Sequence, residues 1–103
     1  MIKILTALTL TLTINCTEAT AQPSELCRPV ANAAWSMMIM RQGGMTLHDA
    51  MASGEKMEGQ NERDLWAAMT NAAWKRPVYS TQNEKYEAAF EFSEEIFNEC
   101  LTW

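Results

Sequence analysis

The stretch that most constrains the fold is residues 25–42, ELCRPVANAAWSMMIMRQ. Placed on a helix, it is apolar around nearly its whole circumference. Its only polar line consists of residues spaced four apart: Arg28, Asn32 and Ser36. A helix with so narrow a polar stripe is normally surrounded by other elements. We therefore expect this segment to be the buried central helix of a small helical domain.

The two ends of this helix carry their own signals. Ser24 is a good N-cap residue, but Pro29 lies beyond the first turn, where its missing N–H costs a hydrogen bond. We therefore expect a loose turn first and regular helix from about Arg28. Gly43 and Gly44 should end the helix, because glycine takes the left-handed C-terminal conformation easily.

Residues 1–21 have the pattern of a secretory signal peptide. Lys3 is followed by an uncharged aliphatic and threonine-rich core at residues 4–14, and residues 19–21 (ATA) form a small-x-small cleavage site. The core is too short for a bilayer-spanning helix, which needs about 20 residues. A membrane anchor is one alternative, and a lipoprotein modified at Cys16 is another. We expect cleavage before Gln22, a single domain over residues 22–103, and a periplasmic or secreted location.

The charge balance limits the partners. Cleavage would remove one cation, Lys3, and one anion, Glu18, so the net charge would stay at −5. Nucleic-acid binding needs a basic face for the phosphates. We therefore expect no nucleic-acid partner and, after cleavage, no attachment to a membrane.

Two cysteines, Cys27 and Cys100, would remain in the exported chain. An even cysteine count in an oxidising compartment indicates a disulfide, and with two cysteines only one pairing is possible. The bond would close nearly the whole domain. A redox or metal-binding thiol pair is the alternative, but the CxxC spacing typical of such sites is absent from the sequence.

Three further helices are predicted after the first. Thr46 with Asp49 and Thr81 with Glu84 are capping-box patterns, and Asn61 is the expected cap of the helix between them. With no alternating apolar run to indicate a strand, the fold class should be all-α: a small four-helix bundle with one disulfide that joins the first and last helices, which should then lie antiparallel.

The last helix is the most amphipathic segment. Its expected inner face includes Tyr86, Ala89, Phe90, Ile96 and Phe97, and its outer face is rich in glutamate. The glutamate stripe is either a solvated side or a surface for a basic partner. The candidate partner-binding residues are Glu87, Glu91, Glu94, Glu95 and, as an apolar anchor at the helix end, Trp103.

Catalytic and metal chemistry have few candidates. His48 is the only histidine, and no nucleophile or second base can be placed beside it, so we predict no enzyme and no cofactor. Thioethers select Cu(I), which makes a methionine-based copper carrier the alternative function. Its candidate ligands are Met37, Met38, Met40, Met45 and His48. Methionine also fills gaps in helical cores, which is the competing interpretation.

Several features together resemble small exported α-helical proteins of Gram-negative bacteria and their phages, which carry one disulfide between their terminal regions. The matching features are Cys27, residues 41–44 (RQGG), residues 73–77 with Tyr79, and Cys100. The resemblance covers residues 27–100 and implies a helical fold and an exported location, and it implies no activity. A small secreted effector of a eukaryote would show the same leader.

We therefore expect a monomeric or weakly associating exported domain that binds another protein in the periplasm, as an inhibitor or an envelope-interference factor. The copper carrier remains the alternative.

Overall fold

The computed structural model describes residues 22–103, which form four α-helices. These are α1 (Pro23–Gln42), α2 (Leu47–Glu55), α3 (Gln60–Trp74) and α4 (Gln82–Cys100). No strand occurs within this range, so the predicted all-α class is confirmed. None of these four helices is long and apolar enough to cross a bilayer. The predicted signal peptide, residues 1–21, lies outside the described residues.

The helices α1 and α4 are antiparallel and pack along their lengths, as predicted. At one end the Cys27–Cys100 disulfide joins them, with a Cα–Cα distance of 5.7 Å. At the other end the Lys85 ammonium donates a hydrogen bond to the backbone oxygen of Gln42 at 3.0 Å. The bond between the first and last helices is therefore confirmed, and the pair forms the main layer of the fold.

The core lies between this pair and the C-terminal half of α3. Its fully buried large side chains are Met37, Met38 and Phe92. Around them lie smaller or less enclosed residues: Ala34, Met69, Ala73, Ala88, Ala89 and Ile96. The alanines let helix backbones approach closely, while the unbranched methionines fill irregular space.

Helix α1 differs from its prediction in three respects. Its N-cap is Gln22, so the predicted cap at Ser24 was wrong. It begins at Pro23, where a missing N–H costs nothing, and it continues through Pro29 without a break. The predicted loose start before Arg28 was therefore wrong. Its burial is also one-sided, because Leu26 is 62% exposed and Trp35 is 41% exposed. The expectation of a helix enclosed by neighbours on nearly all sides was wrong as well.

The predicted caps of α2 and α4 are confirmed, and of these two the full capping box forms only at α4, where the Glu84 carboxylate also accepts the Thr81 N–H. The Thr46 hydroxyl accepts the Asp49 N–H at 3.1 Å, and the Thr81 hydroxyl accepts the Glu84 N–H at 3.2 Å. Helix α3 instead begins one residue after Gly59, whose N–H donates to the Glu62 carboxylate at 3.2 Å. The expected cap at Asn61 was wrong, because Glu62, the third residue of the helix, accepts the N–H of Gly59 three residues earlier.

The connection between α3 and α4 is held by the end of α1. The buried side chain of Gln42 donates to the Pro77 oxygen at 2.8 Å and accepts the Tyr79 N–H at 2.9 Å. The neighbouring Arg41 donates two hydrogen bonds to the Arg76 oxygen, at 3.1 and 2.9 Å. These contacts satisfy backbone groups of a segment that has no regular structure of its own.

Helices α2 and α3 form a hairpin beside α1. The indole N–H of Trp66 donates to the Ala50 oxygen at 2.8 Å, and Gly54 is buried against the ring of Trp66. A second indole, that of Trp74, donates to the Met45 oxygen at 3.1 Å. Two tryptophans of α3 therefore anchor α2 and the turn before it.

Candidate interaction surface

The glutamates of α4 form an exposed row along one side of the helix. None of the carboxylates of Glu87, Glu91 and Glu94 accepts a hydrogen bond from any residue between 22 and 103. Glu95 differs from them, because it forms an ion pair with Arg76 at the end of α3. The acidic row available to a partner is therefore Glu87, Glu91 and Glu94.

Trp103 lies in the turn that follows α4. Its backbone N–H donates to the Cys100 oxygen at 3.1 Å, and its side chain is 66% exposed. The large indole is thus carried one turn beyond the disulfide with most of its surface in solvent.

Aromatic side chains predicted to be buried form a second exposed row on α4. Tyr86 is 51% exposed and Phe90 is 60% exposed, so their predicted inner-face positions were wrong. Phe97 is partly buried and Leu101 is exposed on the same side, since positions 86, 90, 97 and 101 follow helical spacing. The inner face is instead centred on Ala88, Ala89, Phe92 and Ile96.

This aromatic row continues onto α1. The guanidinium of Arg28 lies over the ring of Phe97, 4.4 Å from its centroid. Trp35 is seven residues after Arg28 and therefore lies on the same side of α1. We call the resulting surface the aromatic face, and its members are Trp35, Tyr86, Phe90, Phe97 and Leu101.

Helix α3 covers the opposite side of the α1–α4 pair. Arg76, which follows α3, pairs with Glu95 and lies over the ring of Phe92 at 5.1 Å. Phe92 and Phe97 are five residues apart and point to different sides of α4. The aromatic face therefore has no helix packed on it among residues 22–103.

The acidic row borders the aromatic face along α4. Glu87 follows Tyr86 directly, and Glu94 lies four residues after Phe90, so charge and apolar area are adjacent for about two turns. Contiguous exposed apolar area with a polar border is typical of a protein-binding surface. The described residues therefore present one surface on which exposed apolar area and unpaired carboxylates meet.

The methionines of the copper hypothesis are divided between core and surface. Met37 and Met38 have no exposed area, and the Met38 sulfur accepts a hydrogen bond from the Gln42 amide at 3.5 Å. Met40 and Met45 are partly buried, whereas His48 is exposed in the first turn of α2. Core packing thus accounts for the positions of Met37 and Met38. Among residues 22–103, no three His, Cys, Asp or Glu side chains are grouped as metal ligands.

The sequence contained a signal for the aromatic face that the apolar pattern obscured. Ala88 and Ala89 mark the side of α4 where backbones approach closely, and Ala31 and Ala34 mark the matching side of α1. If the buried face of α4 is taken to be the side that carries its alanines, Tyr86 and Phe90 are exposed. If it is taken to be the most hydrophobic side, the same two residues are buried.

The chain matches no protein-family model, no curated protein and no solved structure.

Proposed function

We propose that this protein is an exported interaction module that binds a basic amphipathic helix of a partner protein on its aromatic face. The observation that carries the proposal is the aromatic face itself, which is exposed on the side of the α1–α4 pair away from α3. An amphipathic helix laid on such a surface would complete a layer that the chain leaves open.

The charge of the partner follows from the border of this face. Glu87, Glu91 and Glu94 line one edge, and the whole chain carries a net charge of −5. A partner helix with lysine or arginine beside its apolar stripe would be attracted during approach and aligned on contact. Aromatic residues at the centre of a contact supply most of the binding free energy, so Tyr86 and Phe90 are the expected anchors.

A defined probe tests this proposal directly. The protein is purified from the periplasm of a bacterium that expresses the full chain. Two synthetic amphipathic helices of about 18 residues share one leucine face and carry either lysine or glutamate on the other. Fluorescence anisotropy should show binding of the lysine peptide only, with an association rate that falls as salt rises.

Variants assign the binding to the face. Phe90→Ala should weaken binding by about 2 kcal/mol, and Glu91→Lys with Glu94→Lys should slow association. The matched control is Glu55→Lys with Glu58→Lys, which makes the same change in net charge on exposed residues near the end of α2. Trp103→Ala tests whether the terminal indole extends the contact. Equal binding of both peptides, or no effect of Phe90→Ala, would refute the proposal.

A second copy of this chain is the competing occupant of the aromatic face. Sedimentation equilibrium of the purified protein decides this point, and we expect a monomer. A dimer that Phe90→Ala dissociates would show that the face joins two copies instead of receiving a partner helix.

The location is part of the same proposal, and it rests on the leader-like pattern of residues 1–21. The periplasmic protein should begin at Gln22, and its intact mass should be two hydrogens lower than that of the reduced chain. A lipid on Cys16 or an uncleaved chain would contradict it.

A further inference from the structure

An apolar cleft of about 530 Å³ opens between the N-terminal halves of α1 and α3. Its walls are Pro29, Val30 and Ala33 from α1 and Leu65, Trp66 and Met69 from α3. The two helices are packed together in their C-terminal halves, where Ala34, Met37 and Ala73 are fully buried. The cleft therefore exists because α1 and α3 separate toward the end of the fold that carries Cys27.

The mouth of the cleft is bordered by the loop between α2 and α3, which hydrogen bonds hold in place. Lys56, Met57 and Glu58 line it, and the Arg63 guanidinium holds the loop by donating to the backbone oxygens of Met57 and Glu58 at 2.6 and 3.0 Å. The contact of Trp66 with Ala50 fixes the indole that forms one wall. Hydrogen bonds within the protein thus hold both the loop and the indole that border the cleft.

The lining suits a flexible aliphatic chain. The wall residues are apolar, and the two methionines, Met57 and Met69, adapt their shape to irregular occupants. Leu26, which is 62% exposed, lies one turn before Val30 on the same side of α1 and extends the apolar surface outward. A volume of this size lies within the range of sites for lipid-like and drug-sized ligands.

Three charged residues line the mouth: Lys56, Glu58 and Glu62. The Glu58 carboxylate is exposed, so a carboxylate ligand can bind there only on the side of the single ammonium, that of Lys56. The Glu62 carboxylate is engaged, because it accepts the Gly59 N–H. The Lys56 ammonium is exposed and has no hydrogen-bond or ion-pair partner within residues 22–103. Lys56 is the only cation in the lining. A ligand with an apolar chain and one carboxylate would bury its chain between α1 and α3 and place its charge beside this ammonium.

We propose that this cleft is a binding site for a free fatty acid, with the aliphatic chain between α1 and α3 and the carboxylate at Lys56. The site lies on the α3 side of the α1–α4 pair, away from the aromatic face, so it is independent of the proposed protein partner.

Three probes with the same chain and different heads test the assignment: laurate, dodecanol and dodecylamine, each below its micelle concentration. Isothermal titration of the periplasmic protein should give the tightest binding for laurate. Nonspecific attraction to a chain of net charge −5 would favour dodecylamine instead. Dodecylamine as the tightest ligand, or no binding of laurate, would overturn the proposal.

Paired variants distinguish the contribution of the ligand's carboxylate from that of its aliphatic chain. Lys56→Gln should weaken laurate about twofold to fivefold and leave dodecanol unchanged, since the ion pair is exposed. The matched control is Lys75→Gln, because Lys75 caps the end of α3 as Lys56 caps the end of α2. Ala33→Phe should fill the cleft and abolish binding of both ligands. Equal laurate affinity of the Lys56 and Lys75 variants would overturn the role of the ammonium.

Methyl NMR of the unmodified protein locates the ligand even if Ala33→Phe fails to fold. Laurate should shift the methyl signals of Val30, Leu65 and Met69 and leave the ring signals of Tyr86 and Phe90 in place. The reverse pattern would show that the chain binds the aromatic face and would overturn the assignment to the cleft.

Discussion

The backbone of Gly54 lies directly against the indole of Trp66, so that a Cβ at residue 54 would come within 2.1 Å of the ring atom Cδ1. This contact joins α2 to α3 and holds the ring that forms one wall of the cleft. Alanine favours helix over glycine by about 1 kcal/mol, but here the ring would have to move.

We expect Gly54→Ala to destabilise the protein by about 1–3 kcal/mol, because overpacking outweighs the gain in helix propensity. Urea unfolding followed by circular dichroism measures the difference. The matched control is Ser53→Ala, one residue earlier on the exposed side of α2, which should change stability by less than about 0.5 kcal/mol. A Gly54→Ala variant as stable as the parent would contradict the packing described.

The disulfide should contribute a large share of the stability. It closes a loop with a sequence separation of 73 residues, for which chain-entropy arguments give about 4 kcal/mol. The double variant Cys27→Ala with Cys100→Ala should lose about this amount while its folded fraction keeps its helix content. The reduced parent protein is the control and should behave like the double variant. A loss below about 0.5 kcal/mol would contradict the prediction.

The Gln42 side chain should contribute to the stability of the fold, because it makes two hydrogen bonds to the connection between α3 and α4. Gln42→Ala removes two part-buried hydrogen bonds, one with the Tyr79 N–H and one with the Pro77 oxygen. Each such hydrogen bond contributes about 1 kcal/mol, so stability should fall by about 1–2 kcal/mol. We expect that loss in urea unfolding, together with faster amide hydrogen exchange at Tyr79. The exposed Gln82→Ala variant should show neither effect. Unchanged amide hydrogen exchange at Tyr79 would show that the connection between α3 and α4 keeps its structure without the Gln42 side chain.

The copper hypothesis leads to a prediction of its own. Met37 and Met38 have no exposed area, so Cu(I) would have to open the core to reach them. We expect no stoichiometric tight complex in a competition titration against a Cu(I) chelator. Met38→Leu, a volume-conserving change, should cost less than about 1.5 kcal/mol. A tight complex that Met38→Leu and Met40→Leu abolish would instead support the carrier.

The features predicted correctly are those that a few neighbouring residues decide. Thr81 with Glu84 and Thr46 with Asp49 determine where two helices begin, because a cap needs only groups three residues apart. The pairing of Cys27 with Cys100 followed from the cysteine count once cleavage had been inferred. The antiparallel order of α1 and α4 then followed from that bond.

The cap of α3 was missed for a local reason, the Glu62 carboxylate, but the wrongly predicted inner face of α4 depends on contacts between distant segments. Phe90 and Phe92 have equal hydrophobicity, but only Phe92 faces the core, since the alanines of α1 and α4 determine how the two helices approach. The fixing of Tyr79 by Gln42 spans 37 residues, and no local pattern indicates it. The aromatic face and the cleft are both consequences of helix arrangement, so neither could be found from periodicity alone.

The disulfide also gives the folded chain the topology of a closed ring. Only the residues before Cys27 and after Cys100 lie outside that ring. A pulling force applied at the two ends would pass through the sulfur–sulfur bond, and the loops and helices between the cysteines would carry almost none of it. Likewise, one proteolytic cut in any of the three connections between the helices would leave a single covalent molecule, with its two pieces still held together at α1 and α4.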